Sequence, residues 1–315
     1  MGERERYTYA FQKQLFDALE GTTIKYISEK YSLPYTTCER IIKQQLAVIV
    51  PDIQETVVKQ AEKTEYLVIG IDDFANRKGH TYNTGFHDLR NGSLLAVTFG
   101  RSYSQLLQRD HLKAILTRLN PVAVVMDLAK SYHKFSKKYF PNAIRIADRF
   151  HVNRYVTDAL QKVRIRISKT LMPESSRFIK RNKNILGRRY DNLSKEDVQI
   201  LIKLLSFSEE LRDVYYAKEQ LISWYDLSSK KHAHSSLLKW IQSGRKLQIP
   251  ELDIALKTFE NWSTEISNYH LCRYTNAAVE GRNNKIKTLQ RRCFFLRNRQ
   301  IYKNRIYHEC NKAFW

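Results

Sequence analysis

Residues 66–99 read YLVIGIDDFANRKGHTYNTGFHDLRNGSLLAVTF, and the fold turns on them. YLVIGIDDF is an apolar run that ends in two acids, and a loop at RKGH separates it from HTYNTGFHDL. Asn91-Gly92 then precedes SLLAVTF. An Asn-Gly pair between two apolar runs is the strongest short hairpin signal, because both residues accept the positive φ of a tight turn. The stretch predicts an antiparallel meander, with strands near 66–72, 80–88 and 93–99.

Working outward, the pattern predicts a helix from Ser104 to about Leu119, a buried strand at VAVVMD, and a helix over Lys130–Tyr139. AIRIAD is a fifth short strand, and a long basic helix starts after Asp148. The order β-β-β-α-β-α-β-α belongs to the ribonuclease-H-like fold. This is an α/β architecture whose mixed sheet has the spatial order 3-2-1-4-5, with strand four parallel to strand one. Open α/β sheets carry their sites at the carboxyl ends of strands flanking such a reversal of winding. Asp72 and Asp127 stand at those two ends.

On the N-terminal side, Tyr9–Leu19, Ile24–Tyr31 and Thr36 to about Leu46 carry apolar residues at helical spacing. The turn Ser32-Leu33-Pro34, with Thr36 or Thr37 as a cap, makes a helix-turn-helix pattern. Cys38, Ile41 and Ile42 then face inward, while Thr37, Arg40 and Lys43 face outward to a DNA groove; an ordinary three-helix bundle is the plainer alternative. Residues 170–270 read as entirely helical, with a capping box at Ser194-x-x-Asp197 and a helix start at Pro250. The expected organisation is a helix-turn-helix segment over 1–60 and a catalytic core over 61–170. An all-helical insertion over 171–270 and C-terminal core helices over 271–315 complete it.

Composition points to the partner. The chain has 54 Lys+Arg against 32 Asp+Glu, a net charge of +22, which calls for a polyanion. A membrane partner is not expected, since no apolar run approaches the roughly 18 residues of a span. The N-terminus MGERERYTYA also lacks a signal-peptide core. The four cysteines are scattered without a C-x-x-C pair, which supports neither a zinc ribbon nor a disulfide framework and fits a reducing cytoplasm.

Two acids at adjacent strand ends can share divalent cations, and hard cations such as Mg²⁺ take oxygen ligands for phosphoryl transfer. A third carboxylate has to come from a helix crossing the sheet, and Glu280 is the candidate. Val279, Ile286, Leu289 and Cys293 form an apolar stripe on that helix, with Asn276, Glu280, Asn284 and Lys287 on another face. Nine Lys or Arg and no acid lie between Arg282 and Arg305, so Arg282, Lys285, Lys287, Arg291 and Arg292 are candidate phosphate contacts. Taken singly, each acid has a plainer reading: a strand-end Asp is commonly a turn residue, and Glu280 is commonly half of an ion pair with Arg282 or Lys287. Asp73 competes with Asp72, yet successive strand residues face opposite sides and only one points at a shared site. Asp148 is either a supporting acid or the N-cap of the helix after it. His151 lacks a partnering His or Cys and reads as structural or substrate-contacting.

The segments IGIDDFANRKGHTYNTGFHDL (69–89), VVMDLAKSYHKFSKKYFPNAIRIADRFHVNRY (124–155), KVRIRI (162–167) and NAAVEGRNNKIKTLQRRCFFLRN (276–298) resemble the ISL-three family of insertion-sequence transposases. The resemblance implies a catalytic triad of Asp72, Asp127 and Glu280. Family members usually carry Asp-Glu where this chain has Asp72-Asp73, which favours Asp72 as the ligand. It further implies two Mg²⁺ or Mn²⁺ ions, double-stranded DNA with terminal inverted repeats and a target as substrate, and a bacterial, nucleoid-associated location. A homodimer is expected because two DNA ends must be brought together. Family members typically have a cysteine-rich zinc ribbon before the helix-turn-helix, and this sequence starts after that point. The rival expectation is a non-catalytic DNA-binding remnant or regulator; a nuclease or resolvase unrelated to transposition is a third.

Overall fold

The computed structural model describes residues 6–77, 81–292 and 298–314; Cys293 of the expected apolar stripe lies outside them. The chain forms two compact units, Met1–Ile144 with Asn276–Trp315, and Arg145–Thr275. The sequence reading places the corresponding boundaries at 170/171 and 270/271.

The first unit opens with α1 (Tyr9–Asp17), α2 (Ile24–Lys30) and α3 (Tyr35–Lys63). Thr8 and Thr23 cap α1 and α2 through their side chains, whereas α3 starts one residue before the expected threonine cap. Pro34, with φ fixed at −55°, occupies its cap position without a side-chain bond. The third helix also runs on to Lys63, well past the expected end near Leu46. Its buried residues Cys38, Ile41, Ile42, Leu46, Val50, Ile53, Val57, Val58 and Ala61 keep one apolar stripe along its whole length.

The meander follows as β1 (Val68–Arg77), β2 (Thr81–Asp88) and β3 (Leu94–Phe99). Asn91 and Gly92 sit in the β2–β3 turn, Gly92 at φ 78°, and Asp88 and Ser93 close it by a backbone hydrogen bond of 2.9 Å. The single helix expected over 104–119 is two, α4 (Tyr103–Leu107) and α5 (Asp110–Leu116). The break lies at Arg109, whose backbone is extended, and it sets Asp110 in a first turn where the helix dipole favours an acid. Then come β4 (Ala123–Met126), α6 (Lys130–Tyr139) and β5 (Ile144–Ala147). The sheet order is β3-β2-β1-β4-β5, with β1 antiparallel to β2 and parallel to β4, as the ribonuclease-H-like reading expects.

The second unit is helical: α7 (Arg149–Thr170), α8 (Pro173–Arg181), α9 (Lys183–Gly187), α10 (Lys195–Leu205), α11 (Glu209–Leu227), α12 (Ala233–Lys246), α13 (Pro250–Asn261), α14 (Ser263–Ser267) and α15 (Tyr269–Cys272). Ser194 caps α10 and Pro250 opens α13, both as expected. Arg166 bridges Glu210 and Glu251, each at 2.7 Å, and so ties α7 to α11 and α13.

The chain then returns to the first unit with α16 (Ala277–Arg292) and α17 (Arg299–Asn311). One apolar core gathers Leu15, Phe16, Ile27, Ile41 and Val50 of the N-terminal helices, Phe74, Leu94 and Val97 of the sheet, and Ile286, Leu289 and Ile306 of the last helices. The N-terminal helices are thus built into the core that supports the sheet. At the free edge of β3, side chains of α17 stand where a neighbouring strand would. Asn311 bonds both N–H and C=O of Leu94 at 2.8 Å, and the Tyr307 hydroxyl accepts the Val97 N–H at 2.8 Å.

Candidate active site

The β1–β4 ladder sets the site. Its last parallel pair is Ile71 with Met126, so Asp72 and Asp127 emerge level where β4 ends; β1 does not stop at Asp72 as expected but runs on to Arg77, paired with β2 alone. Each carboxylate has an oxygen within 4.8 Å of the other, and both side chains are half-buried. Two hard oxygen donors at this spacing suit a divalent cation.

The helix α16 lies along β1 through amides. Asn276 donates from Nδ2 to the Ile71 carbonyl at 3.2 Å, Asn283 from Nδ2 to Asp72 Oδ2 at 2.7 Å, and Gln290 from Nε2 to the Ala75 carbonyl at 3.2 Å. Gly70 makes this approach possible. A Cβ there would sit 2.7 Å from Asn276 Oδ1 and 2.9 Å from Val279. Glu280 stands on this helix between Asn276 and Asn283, four residues after one and three before the other, hence on the same side. Its side chain is exposed, and among the described residues it pairs with neither Arg282 nor Lys287. At the 4.8 Å spacing it does not form a group with Asp72 and Asp127.

Asp73 faces away from Asp72, as strand alternation requires. Its Oδ2 lies 3.4 Å from Arg101 and 3.5 Å from the Tyr132 hydroxyl, which is also 3.2 Å from Thr84 Oγ1. Burial, and then the carboxylates of Asp73, Asp127 and Asp72, push the Tyr132 hydroxyl well above its ordinary range, so it remains a proton donor. Asp148 and His151 belong to the helical unit. Asp148 is buried at the start of α7 without a side-chain cap bond, and His151 meets Phe150 edge-on.

The basic residues separate into two kinds. Arg282 and Lys285 donate to the carbonyls of Cys310 and Glu309, in the last turn of α17, and Arg292 donates to the Gly21 carbonyl. Lys287 and Arg291 are exposed on α16. In the helix-turn-helix, Cys38, Ile41 and Ile42 are buried as expected. Arg40 is exposed and bonds Gln44 at 3.0 Å, Lys43 pairs with Glu39 at 3.0 Å, and Thr37 is half-buried. Sequence reasoning places Asn276 on the Glu280 face but misses Asn283 and Tyr132; an amide seven residues after Asn276 on one helix face is the signal that could have found Asn283.

A family model described as a transposase, the ISL3 type of DDE transposase, matches residues 69–306. The chain is also similar to the transposase for insertion sequence element IS1001 of Bordetella parapertussis. The two are 24% identical over 313 residues, which is 96% of this chain and 73% of that protein.

Proposed function

The chain belongs to the ISL3 family of DDE transposases, and from that premise we propose that Asp72, Asp127 and Glu280 carry metal-dependent DNA cleavage and strand transfer at insertion-sequence ends. The observation that carries this reading is the level pair Asp72 and Asp127, with carboxylate oxygens within 4.8 Å just past the last β1–β4 pair. The family implies divalent-metal use, and the oxygen donors of this pair fit it; our reading is two Mg²⁺ or Mn²⁺ ions. When bound, such a metal supplies positive charge at the phosphoryl and leaving oxygens of an in-line displacement.

The chain's own residues do the rest. Asp72 and Asp127 hold oxygens toward one point, and Asn283 fixes the Asp72 carboxylate by donating to Oδ2. Glu280 is the acid that α16 offers to this edge of the sheet. Tyr132 keeps its proton and steadies Asp73, so that only Asp72 of the adjacent acids is left to the site. In this reading Thr37, Arg40 and Lys43 meet element-end DNA, Lys287 and Arg291 meet phosphates, and bases of residues 162–189 hold further backbone. Asp148 is a supporting acid. The substrates are terminal inverted repeats and target duplex, and two copies of the chain hold two ends.

The exposure of Glu280 favours a second reading, a DNA-binding protein without catalysis. A labelled duplex bearing the element end, incubated with Mg²⁺ or Mn²⁺, separates the two. Asp72→Asn, Asp127→Asn and Glu280→Gln are each expected to lower cleavage by roughly a hundredfold or more while binding is retained. Wild-type protein that binds the duplex and never cuts it supports the second reading. Parallel loss of binding and thermal stability in the variants assigns these acids to folding.

A further inference from the structure

A cleft of about 610 Å³ opens in the first unit next to Asp73, on the side away from Asp72. Its lining includes Tyr82, Phe99, Arg101, Arg109, Tyr132 and Arg299. Among the described lining residues Asp73 is the sole acid, and Arg101 already pairs with it at 3.4 Å. Arg109 and Arg299 have no carboxylate partner among the described residues, and Arg109 Nε is shielded from solvent without a hydrogen-bond acceptor.

Further cations stand behind these. Lys303, one turn along α17 from Arg299, is pushed down to about 8 by burial and then by the charge of Arg109. Burial also lowers His111, with Lys303 and Arg109 adding to it. The fold thus tolerates a crowd of like charges that a bound anion would relieve. Two of the guanidinium groups are held on rings: Arg101 lies 3.9 Å from the Tyr82 centroid and Arg299 lies 5.6 Å from that of Phe99. Guanidinium groups steadied in this way lose little freedom on meeting a phosphate.

We propose that this cleft binds the backbone phosphates of a single DNA strand that leaves the Asp72–Asp127 edge. The proposal rests on the DNA-processing reading and adds a binding site, with its own residues, to it. Three observations select the ligand. The cleft has the volume of a small-ligand pocket, which suits a nucleotide or two of one strand. Paired arginines and aromatic rings are the chemistry of single-strand grooves. Continuity comes from Asp73, which lines the cleft and donates its N–H to Asp72 Oδ1 at 2.7 Å, and from Tyr132, which feels the charges of Asp73, Asp127 and Asp72 together.

The test measures binding by anisotropy, without divalent metal, over a series of salt concentrations. Two probes are compared, a blunt duplex and the same duplex with a single-stranded tail. The double variant Arg109→Gln/Arg299→Gln is expected to weaken tailed-DNA binding more than blunt-DNA binding. It should also flatten the slope of log K against log salt by roughly 0.7 for each single-strand phosphate that is no longer neutralised. Arg299→Gln alone, at an exposed position, gives the same reading at half the size if the double variant fails to fold. Unchanged slopes in folded variants, or equal losses on both probes, overturn the single-strand assignment. So does inorganic phosphate that raises the melting temperature as far as tailed DNA does, which marks a small-anion site. If the unaltered chain binds neither probe, the DNA-processing reading itself falls; if it binds both and the variants do not differ from it, only the cleft proposal falls.

Discussion

The two oxygens of Asp72 have different partners: Oδ1 accepts the Asp73 N–H and Oδ2 accepts the Asn283 amide, each at 2.7 Å. The second bond comes from a buried side chain more than two hundred residues away in sequence, and it fixes how the carboxylate is presented. Asn283→Ala is expected to raise the metal concentration that half-saturates cleavage by about 10–100-fold. Asn283→Asp, which replaces a donor by a like charge, should be worse. A metal titration that superimposes on wild type would remove Asn283 from the site. At this scale the sequence was partly legible. Strand alternation separates Asp72 from Asp73, and the structure turns them to opposite sides. Asn283 was hidden because a helix amide beside Asn284 looks like any polar surface residue until its burial is known. The basic side chains were misleading for a related reason: Arg282, Lys285 and Arg292 read as free phosphate contacts, and here they close backbone carbonyls.

Among the elements, α17 departs furthest from what periodicity can reveal. Its buried face is largely polar: Arg305, Tyr307, His308, Glu309 and Asn311. Arg305 and Glu309 form an ion pair at 2.8 Å with both side chains 4% exposed. Arg305 donates to the carbonyls of Leu19 and Thr22, and Glu309 accepts the Gly21 N–H at 3.1 Å. The pair therefore fastens the α1–α2 turn, where Gly21 has φ 64°. Arg305→Met leaves a buried carboxylate without its cation and is expected to cost about 3–5 kcal/mol in chemical denaturation. A loss under about 1 kcal/mol would mean that Glu309 finds water at little cost. The meander, the helix over Lys130–Tyr139 and the sheet order were readable because apolar runs, Asn91-Gly92 and acids fall at fixed periods. The length of α3 was not, although its stripe of buried residues continues unbroken: Pro51 interrupts the pattern to the eye and not in the fold.

For the molecule as a whole, acid is the condition that tests the core. His87 and His308 are buried, and among the described residues neither ring nitrogen of either has a hydrogen-bond partner. Burial and the charge of Arg282 push His87 down to about 3, and burial with Arg305 and Lys312 pushes His308 down to about 4. Both are neutral in the fold at pH values where the unfolded chain, with histidines near 6.5, takes up protons. Their contribution is complete above about pH 6.5 and is lost as pH falls toward 4, at up to about 1.4 kcal/mol per pH unit for each histidine. Burial raises Asp88, which acts in the opposite sense above the ordinary carboxylate value and so offsets part of the loss. Urea midpoints at pH 7.5 and 5.0 check the sign, and equal midpoints would show that the two rings are solvated. The net charge of +22 adds self-repulsion at either pH.

The edge of β3, closed by Tyr307 and Asn311, has a consequence in the order of synthesis. The helical unit, Arg145–Thr275, has been synthesised in full before any residue of α16 or α17 exists. Until then Asp72 lacks Asn283, the N-terminal helices lack their partner helix, and the outer strand of the sheet has an open row of hydrogen-bonding groups. Asp72 thus gains its Asn283 partner, and the β3 edge its Tyr307 and Asn311 cover, only when translation has passed residue 311, so nascent chains carry this end of the sheet in an unfinished form.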